Sequence, residues 1–427
     1  MPRLTVRDFS CIESAVLDLS RLTVMIGPQA SGKSVLSKLV YFFQNVINVQ
    51  VTGLDIETDY VSFQERVASD FKKWFPVSAW GSKKFHIEFE SGPITITIDR
   101  KKSYRKPSEG FYINFSPFFT TLFDETARLA QSALQTIERG RDMHTYVRWE
   151  ATWQIQRDTR ISLASNLGKE YVSHQMFIPA GRAFFTTFGK AIAAFAEGGL
   201  LDPATLAFGR YWAQVRDNDI ISYESHEFST THAKLMKEIF GGELKVDRDF
   251  EYVLSEDGRK VPISALSSGQ QELLPLWMTI ERYFRDTDTE PGDSSMMYIE
   301  EPEAHLFPHA QSMLVEYLTS KLYSVPKTNR RMLITTHSPY VLAKLNNLLK
   351  ASIIARRASK EQVAAIARVY PRVSWLRSGD MNAYAIVDRN LINLRGDDDL
   401  INADYLDRVS DEIMNQYSKL IDIQYAD

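Results

Sequence analysis

Cysteine is almost missing from this chain of 427 residues: Cys11 stands alone. One thiol closes no internal disulfide and builds no cysteine-based zinc cluster, and its scarcity fits a reducing compartment, with the cytoplasm as the expected location. No apolar run reaches the ~18–20 residues of a membrane helix, and the opening Met-Pro-Arg-Leu-Thr-Val-Arg-Asp-Phe lacks an apolar signal core, so no membrane partner is expected. An excess of positive charge is also absent. Lys and Arg number 50 against 54 Asp and Glu, a formal net charge of −4. That balance predicts no global attraction to nucleic acid or anionic lipid, although a local basic patch leaves nucleic acid open as a partner. There is no internal repeat and no low-complexity stretch. Apolar material is ample, at 44% hydrophobic and 12% aromatic residues. That suffices for a buried core, and the length allows two or three domain-sized units.

Short apolar runs organise the chain. Leu4–Phe9 and Ala15–Leu19 read as strands, and Leu22–Ile26 is nearly continuously apolar, as a buried parallel strand would be. A helical pattern starts near Lys33 and runs through Val35, Leu36, Leu39, Val40 and Phe43. His86–Glu90 and Ile94–Ile98 alternate around Ser91-Gly92-Pro93, a hairpin pattern. Residues 117–165 and 204–240 are largely helical in character, and Val172–Ile178 reads as a strand between them. Leu244–Val246 and Phe250–Leu254 are strand-like, and a helix should follow Gly269 to about Phe284. Met296–Ile299 and Met332–Thr335 are short apolar strands, with Gln311–Leu322 helical between them. Val373–Leu376 and Tyr384–Val387 read as strands, before a last helix over Asp407–Leu420. Several short buried strands each end in a polar motif, as in an open α/β sheet with a site at the strand ends. The expected organisation is an α/β core over 1–45 and 243–427, interrupted by a mixed, largely helical insertion over 46–242.

The first polar motif carries its own chemistry. Gly27-Pro28-Gln29-Ala30-Ser31-Gly32-Lys33-Ser34 fits G-x-x-x-x-G-K-[ST] at every fixed position, with an apolar strand before it and a helix after. Glycines let the backbone wrap close to phosphate oxygens, and amide N–H groups and a helix N-terminus then face negative charge. These eight residues are the expected ATP-binding loop, with Lys33 on the β- and γ-phosphates and Ser34 on Mg²⁺.

Three later segments follow in order. Leu266-Ser267-Ser268-Gly269-Gln270 resembles the LSGGQ signature of ABC ATPases, with Ser268 in place of the first glycine. By itself the pentapeptide is also an ordinary helix N-cap. Met296-Met-Tyr-Ile-Glu300-Glu301-Pro302-Glu303-Ala304-His305-Leu306 resembles a Walker B strand and the D-loop after it. Glu300 stands where that family usually has Asp. Met332-Leu-Ile-Thr-Thr-His337-Ser-Pro resembles the H-loop, and His337 lies 337 − 301 = 36 residues after Glu301, room for one crossover helix and one strand.

Together these segments resemble the ABC ATPases of the SMC, RecF and overcoming-lysogenisation-defect group, an ABC-type P-loop core. The opening hairpin and the Glu-Pro-Glu-Ala-His-Leu-Phe-Pro run are similar to that group as well. The resemblance implies a nucleotide-sandwich dimer. Ser267 and Gly269 of one copy would cap the γ-phosphate held by the other, Glu300 would hold Mg²⁺, Glu301 would polarise the attacking water, and His337 would sense the γ-phosphate. With no nuclease domain of its own, the chain further resembles the ATPase subunits of bacterial anti-phage systems such as PARIS and Septu. There a separate effector nuclease is the partner. A DNA-repair ATPase and an ATP-binding scaffold with little turnover are the alternatives.

Weaker signals remain. Gln175 and Gln44 are candidates for the Q-loop glutamine, and Arg182 for a phosphate or interface contact. Arg100–Lys106 is the densest basic run, readable as a nucleic-acid contact or a solvated hairpin tip. Asp397-Asp398-Asp399 invites a nuclease reading, but about 75 residues after the last motif leave little for a separate core.

Overall fold

The computed structural model describes residues 1–52, 56–81, 84–100, 110–139, 144–188, 201–219, 235–247, 250–287, 294–324, 329–402 and 414–421. Its strands are β1 (Arg3–Phe9), β2 (Ile12–Asp18), β3 (Leu22–Ile26), β4 (Phe85–Ser91), β5 (Ile94–Arg100), β6 (Phe111–Phe115), β7 (His174–Ile178), β8 (Gly242–Asp247), β9 (Phe250–Ser255), β10 (Lys260–Pro262), β11 (Ser294–Glu300), β12 (Asn329–Thr336), β13 (Met381–Val387) and β14 (Asn390–Asn393). The helices are α1 (Lys33–Ile47), α2 (Val49–Thr52), α3 (Tyr60–Trp74), α4 (Pro117–Arg139), α5 (His144–Leu167), α6 (Ala183–Phe188), α7 (Pro203–Asp219), α8 (Ser268–Thr287), α9 (Pro308–Tyr323), α10 (Pro339–Ala355) and α11 (Lys360–Val369).

An 11-stranded sheet runs β6-β5-β4-β1-β2-β14-β13-β3-β12-β11-β7. Its β7, β11, β12, β3 and β13 are parallel, and β2, β1, β4, β5 and β6 form an antiparallel meander. A separate 3-stranded antiparallel sheet holds β8, β9 and β10. The expected α/β class is therefore present. Within 46–242, strands β4 to β7 hydrogen-bond into the same large sheet as the motif-bearing strands.

The apolar runs are continuous because both faces of the parallel strands are covered. Leu22, Val24 and Ile26 of β3 join Met297 and Ile299 of β11 and Met332 and Ile334 of β12 in one core, which α8, α9 and α10 close. Met25, Tyr298 and Leu333 point the other way, into a second core with Leu36, Leu39, Val40 and Phe43 of α1. Period-2 alternation thus divides an apolar strand between two hydrophobic layers.

Several expectations need correction. Val373–Leu376 forms no strand; Arg372–Ser374 is a 3₁₀ turn packed near α9. Pro371 opens it, Ser374 Oγ donates back to Pro371 O at 2.7 Å, and Trp375 Nε1 donates to Tyr370 O at 2.8 Å. These local bonds satisfy the backbone without a ladder. Strands β6 and β14 and helices α3, α10 and α11 did not stand out in the sequence. Residues 414–421 are helical, and the first half of the expected last helix lies outside the described residues.

Candidate functional site

Three adjacent parallel strands end together. The register places Ile26 of β3 beside Thr336 of β12, and Glu300 of β11 beside Thr335. The next residues in each chain segment are Gly27, His337 and Glu301. The three motifs, up to 310 positions apart in sequence (337 − 27), therefore meet at the carboxyl edge of the sheet.

The loop after β3 has the backbone its glycines permit. Gly32 sits at φ 108° as the N-cap of α1, and a Cβ there would stand 2.4 Å from Ile12 Cδ1 and 2.9 Å from Cys11 Sγ. No other residue fits both the angle and the space. Pro28, Gln29, Ala30 and Ser34 are exposed, whereas Gly27 and Lys33 are buried. Lys33 Nζ donates to Gly27 O and Pro28 O, each at 2.8 Å, which curls the loop around its ammonium. Burial lowers the lysine's pKa, and Glu301, Glu303 and Glu300 oppose that shift. Ser31 Oγ is buried without a hydrogen-bond partner.

Opposite the loop, Glu301 adopts φ 43°, a left-handed conformation costing a non-glycine residue roughly 1–2 kcal/mol. Its N–H donates to Thr335 O at 2.9 Å, and its Oε1 lies 3.1 Å from His337 Nε2. The expected acid and the expected histidine are thus in direct contact. Glu300 is buried; Oε2 accepts from Ala180 N at 3.4 Å, and Oε1 has no partner. Glu303, which the sequence leaves as a dimer contact or a plain surface residue, is also buried. Its Oε1 accepts from Thr336 Oγ1 at 2.6 Å and from His337 N at 2.8 Å, which holds the histidine turn.

Ser267 and Gln270 form a reciprocal cap at the start of α8. Ser267 N donates to Gln270 Oε1 at 3.0 Å, and Gln270 N donates to Ser267 Oγ at 3.4 Å. Ser267 and Ser268 are exposed, and Gly269 is buried. A Cβ on Gly269 would meet His305 O at 2.7 Å, so the glycine lets α8 press its first turn onto the acidic loop.

Arg182 differs from expectation. It is fully buried, with its guanidinium bound to main-chain carbonyls of Pro179, Glu272, Glu300 and Glu301. It touches neither solvent nor the phosphate loop. Neither glutamine candidate reaches the site. Gln175 pairs with Met296, four residues before Glu300 and ~13 Å along the strand, and its Nε2 donates to Tyr41 O at 3.2 Å. Gln44 is buried 11 residues beyond Lys33 on α1, ~16 Å along the helix. Arg100 is buried over the Trp80 ring, and 101–109 lie outside the described residues. Asp398 Oδ1 accepts from Leu400 N at 3.1 Å and Asp399 pairs with Arg395 at 3.5 Å, so these acids shape a surface turn.

Oxygen donors suited to a magnesium ion stand at the start of α1 and at the end of β11. Among the described residues, no three His, Cys, Asp or Glu side chains converge on a metal position. Magnesium, however, takes one or two protein oxygens and completes its shell with phosphate and water. The unpartnered, buried Oε1 of Glu300 and the exposed hydroxyl of Ser34 are oxygen donors of that kind.

Residues 213–342 match the family model of the AAA ATPase domain, a stretch that includes Ser267, Gly269, Glu300, Glu301 and His337. No curated protein matches the chain. Among solved structures, the chain is similar to the SMC head domain from Thermotoga maritima, at 13% identity over 92% of this chain and 97% of that one, with a TM-score of 0.36. An SMC head domain with an extended coiled coil, bound to the C-terminal domain of ScpA derived from Pyrococcus furiosus, is 11% identical over 97% and 100%, with a TM-score of 0.37. The recombination mediator RecF is 11% identical over 92% and 97%, with a TM-score of 0.32.

Proposed function

We propose that this chain hydrolyses ATP and acts as a dimeric switch that closes on nucleotide. One observation carries the reading: a lysine-bearing phosphate loop, a buried carboxylate and an acid in contact with a histidine occupy neighbouring strand ends. The loop amides and Lys33 would bind the β- and γ-phosphates, because they offer clustered N–H donors and a cation at a helix N-terminus. Ser34 and Glu300 would hold magnesium, which when bound neutralises charge developing on the phosphates. Glu301 would accept a proton from the attacking water, and His337, 3.1 Å away, would fix the orientation of that carboxylate.

Ser267 is exposed at the start of α8, where a second copy's nucleotide would take over the hydroxyl now shared with Gln270. Phe307 and Tyr340, 79% and 54% exposed beside the acidic and histidine turns, are aromatic surface that such a dimer would cover. The resemblance of the chain, as an ATPase without a nuclease domain, to anti-phage ATPase subunits is the ground for a separate effector nuclease as partner, in a cytoplasmic setting.

The test is ATP turnover by the purified chain and by Glu301→Gln. Turnover in the first, lost in the second with nucleotide binding kept, is expected; no turnover in either leaves an ATP-binding scaffold. Co-purification with a nuclease encoded beside it would support the defence role. Salt-sensitive binding of duplex DNA by the chain alone would favour repair instead.

A further inference from the structure

We infer that Arg182 and Glu272 form a positioning pair for Glu301, tying that acid to the helix that carries Ser267 and Gly269. The inference rests on the ATPase reading above. Arg182 lies on the connection between β7 and α6, and Glu272 lies one turn into α8. The guanidinium joins three segments. Nη1 donates to Pro179 O at 2.8 Å and to Glu300 O at 2.7 Å, Nη2 to Glu301 O at 3.0 Å, and Nε to Glu272 O at 3.1 Å. The Glu272 carboxylate returns the contact, accepting from the amides of Arg182 at 2.8 Å and Ala183 at 3.1 Å. Its Oε2 stands 3.6 Å from Arg182 Nε, and both side chains are buried.

This arrangement does more than neutralise a charge. Glu301 holds a left-handed backbone, which persists only where the surroundings dictate it. Thr335 O receives its amide, and Arg182 takes its carbonyl. With both peptide groups flanking the residue pinned, the carboxylate is aimed at His337. Only a planar fork with five N–H donors reaches four carbonyls at once; a lysine keeps the charge without the fork. The same guanidinium binds the backbone of α8, and Gly269 presses on His305 O one turn earlier. A shift of the α8 start, where a second copy's nucleotide would dock, is thereby passed to Glu301. Arg182 is fully buried and its guanidinium is bound to main-chain carbonyls, so its role is to position.

The experiment compares full-length Arg182→Lys with the unmodified chain, by steady-state ATP turnover and by equilibrium binding of a fluorescent ATP analogue. Misplacing the acid by about 1 Å should lower kcat about a hundredfold, while the analogue's Kd changes less than about threefold. In the double variant Arg182→Lys/Glu301→Gln, turnover should be no slower than in Glu301→Gln alone, because both remove one function. Glu272→Gln keeps the shape and drops the charge; it should show the same split, and it stands in if Arg182→Lys does not fold. The inference is overturned if kcat stays within about threefold in both single variants, or if Arg182→Lys slows Glu301→Gln by its full factor. It is overturned also if kcat and Kd worsen in parallel, or if both single variants are recovered only unfolded, since the pair would then serve folding alone. If the unmodified chain shows no turnover, the ATPase reading itself fails; if Glu301→Gln keeps full turnover, hydrolysis stands but Glu301 is not its base, and this inference alone falls.

Discussion

Lys33 binds the carbonyls of its own loop, and in the proposed function a triphosphate takes over these hydrogen bonds. A charged hydrogen bond is worth ~1.5–3 kcal/mol, so Lys33→Ala should weaken ATP binding on the order of 10- to 150-fold, read by titration with a fluorescent analogue. Glu301 differs because the proposed function has it act on the attacking water rather than on the phosphates. Glu301→Gln keeps the size and loses the base. Turnover should fall by ~10²–10⁴-fold while the affinity for ATP holds, as measured by phosphate release beside nucleotide binding. Glu303 is a third case. Its Oε1 accepts from both Thr336 and His337, so Glu303→Ala strands a buried hydroxyl and an amide. The expected cost is ~1–3 kcal/mol of stability, seen as a lower urea midpoint, together with slower turnover as the histidine turn loosens.

At the scale of elements, the site exists because β3, β12 and β11 are parallel neighbours that stop in register. The helix that follows β10 is fitted to this edge through its first turn. Gly269→Ala would push a methyl group to 2.7 Å from His305 O, a backbone atom with little room to relax. Overpacking of that kind costs ~1–3 kcal/mol, so the urea midpoint should drop and turnover should fall as α8 lifts from the acidic loop. Ser268→Ala, on an exposed neighbour, should change stability by less than ~0.5 kcal/mol. Equal midpoints for the two variants would deny the docking of α8 on the loop.

For the whole molecule, the proposed sandwich divides each site between two copies. Lys33→Ala removes the phosphate loop of one copy, and Ser267→Arg fills the capping position of the other. Each variant alone should be inactive. Mixed, they should regain part of the unmodified turnover, because a heterodimer holds one intact site. Failure to regain any, with both variants folded by circular dichroism, would place all site residues within one chain.

The strand runs and the form of the loop Gly27–Ser34 were legible in the residues themselves, because each depends on local chemistry; the two acids and His337 stood out through the resemblance. Glycines at tight angles, a continuous apolar run for a strand covered on both faces, and a charged residue just past a strand end all leave marks in a few consecutive letters. The sheet that unites them did not. Strand β14, four residues long, bridges β13 to β2 through Asn390 and Ser14, and no short segment announces such a pairing. Arg182 is the clearest case. In sequence Arg182 reads as a candidate phosphate or interface contact, for arginine is seldom fully buried. Only the tertiary structure brings four carbonyls and Glu272 around it, because hydrogen-bond satisfaction across β7, β11 and α8 is a property of their packing. What the residues determined alone was which polar motifs follow the apolar strands; which groups hold those motifs in place was decided by the fold, because that depends on packing between distant segments.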